Sequence, residues 1–109
     1  MTDFNEEASC YAVIPAAVRY DKRLPVGARL LYGEITSYMD AYRYCWAPDK
    51  NFAEAFGVDR NTVQRWLKAL EEVGYIERGV KEMDYHFKRY IKVNKISTVF
   101  QVEKDEGHE

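Results

Sequence analysis

From Asp49 to Ile76 the chain reads DKNFAEAFGVDRNTVQRWLKALEEVGYI, two amphipathic helical stretches separated by little more than a glycine and a valine. Few arrangements satisfy that spacing. Phe52, Ala53 and Phe56 share one face of the first stretch, and Val63, Leu67 and Leu70 share one face of the second, with Trp66 at its flank. Gly57 ends the first helix because glycine takes the left-handed conformation cheaply. Asp59 caps the second by offering an oxygen to its free backbone amides, and Gly74 closes it. The two helices must cross closely at a steep angle. Ala53 is small enough for the crossing, Gly57 allows the corner, and Val58 plugs the space beneath.

The flanks supply what this pair packs against. Tyr11–Ile14 reads as a short strand, and Pro15 opens a helical turn through about Tyr20. Ala28, Leu31, Tyr32, Ile35 and Met39 then mark one buried face of a helix from residue 26 to about 39. Pro25 stands where a first helical turn tolerates it, while Gly27 and Gly33 admit a close neighbour. Residues 40–47 form a connection rich in aromatics, and Pro48-Asp49 starts the next helix with Asp49 as its N-cap. After Gly74, two alternating segments near Tyr75–Val80 and Phe87–Val93, with Lys81–His86 between them, predict a hairpin. Ile96–Val102 reads as one more strand. The expected class is α+β: a three-helix core containing a helix-turn-helix, followed by a β-hairpin wing.

Charge first argues against nucleic acid, since the 109 residues carry a net −2. Its distribution argues otherwise. Residues 1–10 and residues 103–109 are acidic tails carrying −3 each, and removing both from the total leaves +4 for the domain at 11–102. The solvent side of the 60–73 helix carries Arg60, Asn61, Gln64, Arg65 and Lys68. Arginine pairs bidentately with guanine in the major groove, and asparagine or glutamine with adenine. Base contact in this motif comes from the amino-terminal part of the second helix. Lys81, Lys88 and Arg89 on the hairpin suit phosphates or the minor groove, although a charge-rich hairpin is equally a solvated sheet edge.

The block resembles the winged helix-turn-helix domains of bacterial plasmid and phage replication initiators and related regulators. The resemblance covers about residues 11–80. Its marks are Ile14-Pro15 before a short helix, Leu24-Pro-Val-Gly-Ala-Arg-Leu-Leu-Tyr32, and Trp46-Ala-Pro-Asp49. Further marks are Ala53-Glu-Ala-Phe-Gly-Val-Asp-Arg-Asn-Thr-Val63 and Leu70-Glu-Glu-Val-Gly-Tyr-Ile76. Pro25 and Phe52 depart from the usual cap and leucine, and neither touches the reading face. The resemblance implies double-stranded DNA binding in replication or transcription control of a plasmid, phage or other mobile element. Initiators of this kind normally carry a further domain, for which these 109 residues show no counterpart.

The alternative is a winged helix that binds a protein, a host or replication factor or a second copy of itself, and the acidic tails favour it by repelling DNA. No segment reads as a dimerisation helix. With 47% hydrophobic residues, a core forms without staples. Cys10 and Cys45 are too far apart in sequence for a zinc site with His86 and His108, so no metal or other cofactor is expected, and Cys45 reads as a small core hydrophobe. The Tyr42–Trp46 run is expected to pack over the core, and His86 to stand idle at the hairpin tip. No nucleophile has a base and an orienter at hand, so no enzyme and no small-molecule substrate are expected. The acidic amino terminus has no apolar signal region, and no apolar run approaches the roughly 20 residues of a membrane span, so the expected location is the cytoplasm.

Overall fold

Apolar side chains recur at helical spacing within residues 26–38, 49–56 and 60–73, while Ile76 and Val80 and then Ile91 and Val93 alternate beyond, and the elements follow that change of period. The computed structural model describes residues 11–96. The elements are α1 (Ala16–Arg19), α2 (Val26–Tyr38), β1 (Tyr44–Cys45), α3 (Asp49–Phe56), α4 (Arg60–Val73), β2 (Ile76–Met83) and β3 (His86–Val93). The three strands form one antiparallel sheet in the order β1-β3-β2. This is the α+β winged helix-turn-helix fold, with β2 and β3 as the wing.

The core lies between α2, α3, α4 and the root of the sheet. Ala28, Leu31, Tyr32 and Ile35 of α2 meet Val63, Leu67 and Leu70 of α4, and Ile76, Ile91 and Val93 close it from the sheet. Tyr75 leads from helix to wing and is buried edge-on against Tyr32, their ring centres 6.1 Å apart. Its hydroxyl donates to Asp21 Oδ2 at 2.8 Å, with the Ala17 carbonyl at 3.1 Å. Arg23 grips the same carboxylate through Nε at 2.9 Å and Nη2 at 2.7 Å. These bonds, Arg23 foremost, hold the Asp21 carboxyl down at about 2 against the cost of burying it. One polar cluster thereby ties the α1–α2 loop to the start of the wing.

Close approach explains the two helical glycines. A Cβ on Gly27 would stand 2.1 Å from Trp66 Cζ2, and one on Gly33 would stand 2.7 Å from Ile14 Cγ1. Ile14 belongs to a segment that pairs with no strand among the described residues, contrary to the strand expected at Tyr11–Ile14. Thr36 of α2 holds it instead, accepting from Val13 N at 3.1 Å. With the Val13 amide bound to a helix side chain, the segment has no strand partner there.

Three further expectations are corrected. Residues 40–47 are not all connection: Tyr44 and Cys45 form β1, paired with Lys92 and Ile91 of β3. The hairpin is longer than expected, because Lys81–Met83 and His86 lie in the strands and only Asp84 and Tyr85 turn, both with positive φ. That is the backbone of a tight two-residue hairpin turn whose twist matches the strands. His86 is therefore the first residue of β3, and it is exposed. Finally, Asp49 is the first residue of α3 and not its cap; Pro48 occupies the cap position and no side chain caps the helix. The strand expected at Ile96–Val102 lies, but for Ile96, outside the described residues. The Cys45 side chain is buried as expected, and burial pushes its thiol up to about 11.

Candidate nucleic-acid interface

The geometry of α4 begins at its corner. Gly57 ends α3 in the left-handed region with φ 67°, and Val58 N donates back to the Ala53 carbonyl at 3.0 Å. Asp59 then caps α4, accepting from Thr62 N at 2.8 Å, and that bond holds its carboxyl below the usual carboxylate range. Gly74, with φ 102°, closes the helix. Val63, Leu67 and Leu70 pin the inner side, while Phe56 and Trp66 meet edge-on at the corner, 6.1 Å between ring centres. The opposite side of α4 faces solvent.

Asn61, Arg65 and Lys68 follow one another on that outer side at helical spacing, and Arg60 stands at its amino-terminal edge. All four are exposed, and their side chains make no hydrogen bond or ion pair with another described residue. Gln64 is exposed too, but it is engaged. Its Nε2 donates to Asp49 Oδ2 and its Oε1 accepts from Arg78 Nη1 at 3.0 Å.

The hairpin cations divide between two faces. Strand alternation and register put Arg78, Val80, Arg89 and Phe87 on the face that continues the core. Lys81, Lys88, Tyr90 and Lys92 lie on the other. Arg89 is tied down, Nη1 to Asp49 and Nη2 to the Ala47 carbonyl at 2.7 Å. Lys88 has its ammonium 5.4 Å from the centre of the Trp46 ring, a cation–π distance. Trp46, Tyr44 and Tyr90 cluster on this outer face with ring centres 5.1–6.0 Å apart. The aromatic run 42–46 therefore packs in two directions: Cys45 into the core, and Tyr44 and Trp46 against the outer side of the sheet. Tyr42 is exposed.

A groove runs between the wing root, the start of α3 and the start of α4. Arg60, Lys88 and Arg89 all line it, together with Lys50, Trp46 and Phe87. Sequence reasoning passed over Lys50 in the groove and Arg78 and Lys92 on the wing. The phase of the strand could have found Arg78: with Ile76 inward, residue 78 points the same way, toward the helices. Its Nε and Nη2 grip Glu71 Oε1 at 3.1 and 2.9 Å. Among the described residues, no group of three or more histidines, cysteines or carboxylates could hold a metal, and no helix is long and apolar enough to cross a membrane.

The family model for the helix-turn-helix domain matches residues 22–76, from the α1–α2 loop to the first residue of β2. The chain belongs to that family. No curated protein and no solved structure matches the chain.

Proposed function

We propose that the domain binds double-stranded DNA with α4 in the major groove, Asn61 and Arg65 reaching base edges and Arg60 and Lys68 reaching bases or phosphates. The observation that carries this is the outer strip of α4, whose amide and cationic side chains are exposed and make no hydrogen bond or ion pair with another described residue. A cap, a corner glycine and a buried inner face fix the backbone of that strip, so the ordering cost on docking falls on its side chains alone. Lys81 and Lys88 supply phosphate contacts from the wing. The resemblance of residues 11–80 to plasmid and phage initiators supports the finer reading: replication or transcription control in a mobile element.

Selection from a random duplex library tests the class of ligand, and one pair of variants tests the orientation. Arg65→Ala should change stability by no more than about 0.5 kcal/mol yet remove about 1–3 kcal/mol of discrimination at one base pair. Leu67→Ala should do the reverse, losing about 2–5 kcal/mol of stability. An Arg65→Ala protein that binds the selected duplex as the parent does would refute this docking. With about four to six phosphates engaged, log K should fall against log salt with a slope of about −4 to −5. Protein binding is the second reading, favoured by the exposed wing side chains Val80, Tyr85 and Phe87. A slope near zero on every duplex would select it.

A further inference from the structure

We infer that Asp49 and Arg78 are positioning residues that lock the side-chain amide of Gln64 in one of its two orientations, and so set which base Gln64 accepts. The inference rests on the docking of α4 proposed above. A free glutamine amide turns over about its last torsion, exchanging a donor for an acceptor, and can so adapt to more than one base edge. Gln64 has no such freedom. Asp49 offers only acceptors and Arg78 only donors, so Nε2 must face Asp49 and Oε1 must face Arg78. The reverse orientation would set acceptor against acceptor and donor against donor.

Both anchors are themselves held from behind. Arg89 occupies the other oxygen of Asp49 and reaches the Ala47 carbonyl at 2.7 Å. Arg78 forks onto Glu71 at 2.9 and 3.1 Å. Donors and acceptors therefore alternate without a break from Ala47 through Arg89, Asp49, Gln64 and Arg78 to Glu71. The chain joins the start of α3, both wing strands and α4. The wing thereby acts as a frame for the reading helix through two arginines that keep their own partners inside the protein.

Gln64 remains able to read. An amide nitrogen has two hydrogens and an amide oxygen two lone pairs, and the clamp uses one of each. The remaining donor and acceptor suit the paired acceptor and donor of adenine in the major groove. Turning the amide over for a different edge would break two hydrogen bonds to charged groups. Losing them leaves charged groups short of a partner, so a preference of about tenfold at that base pair is at stake.

The test is duplex selection, with affinities measured on single-base variants of the selected site, for the parent, Gln64→Ala, Arg78→Lys and Asp49→Asn. Arg78→Lys keeps the charge but loses the planar fork that holds Glu71 and Gln64 together. Asp49→Asn keeps the shape and lets the partner of Gln64 turn over. All three variants should relax the same single base position, an adenine, by about tenfold, while Arg78→Lys keeps the parent's salt slope. Thermal melting of each variant separates a lost fold from a lost preference, and two clamp variants stand in for one another should either fail to fold. Duplex binding with the parent's base profile in both clamp variants overturns the inference and leaves the docking intact. So does an unchanged profile in Gln64→Ala. A parent that binds no duplex overturns both.

Discussion

One added methyl group at Gly27 should destabilise the domain, although helix propensity alone argues the opposite. Replacing glycine by alanine within a helix gains about 0.5–1 kcal/mol. Here the new Cβ would stand 2.1, 2.4 and 2.6 Å from three atoms of the Trp66 indole, where carbons at rest keep about 3.5–4.0 Å. The ring must retreat by more than an ångström, and Phe56 stands edge-on against it. Overpacking of this kind costs about 1–3 kcal/mol, and with three ring atoms inside contact distance the upper part of that range applies, so the net loss is up to about 2.5 kcal/mol. For a domain of this size that lowers the melting temperature by roughly 4–8 °C for each kcal/mol. A second background supplies the decisive comparison. Leucine at position 66 does not reach as far as the indole, so Gly27→Ala added to Trp66→Leu should stabilise by about 0.5–1 kcal/mol. Urea unfolding of the four proteins gives both effects from one cycle. A stabilising Gly27→Ala in the parent background would refute the close contact between α2 and Trp66.

Two further substitutions probe the loop cluster and the wing turn. Asp21 titrates at about 2 in the folded domain, below an unfolded carboxyl near 3.9, so its bonds to Arg23 and Tyr75 stabilise the fold above about pH 4, and that contribution is lost as pH falls toward 2. Asp21→Asn should cost about 1–2 kcal/mol at pH 7, allowing for solvent screening of the exposed Arg23, and the gap between the two proteins in urea unfolding should close across that window; a gap independent of pH would refute it. Tyr85 is fully exposed at φ 70°, a conformation that costs a bulky residue roughly 1–2 kcal/mol. Tyr85→Gly should therefore raise the melting temperature, and a lowered one would show that the turn depends on the tyrosine ring.

What the sequence disclosed followed the reach of the interactions involved. Gly57, Asp59 and Gly74 act within a few residues of themselves, and each ends or starts its helix as their chemistry requires. The inner faces of α2 and α4 were legible for the same reason, since helical spacing is a local property. β1 was not legible. It is two residues long and exists through pairing with residues 91 and 92, far along the chain. The wing turn hid because Asp84 and Tyr85 hold positive φ without a glycine to announce it. Asp49 shows the competition directly: an aspartate after a proline has the look of a cap. Its carboxylate instead serves Gln64 and Arg89, fifteen and forty residues away, while Pro48 takes the cap position.

The same contrast divides the candidate interface. Period alone shows that positions 60, 61, 64, 65 and 68 avoid the buried side of α4, but it cannot show whether a side chain there already has partners. Arg60, Asn61, Arg65 and Lys68 make no hydrogen bond or ion pair among the described residues, whereas Gln64 and Arg89 are held. A held arginine gains less from a phosphate than a free one, because it must first give up a carboxylate and a carbonyl. Arg78 and Arg89 lie on the inner face of the wing with such partners, while Lys81 and Lys88 lie on the outer face. On the proposed docking, counterion release then falls to the outer lysines and to α4, and the two wing arginines act by holding Asp49 and Gln64 in place. Sequence composition counts all of these cations alike; the structure separates the outer lysines from the two arginines held by Asp49, Ala47, Glu71 and Gln64.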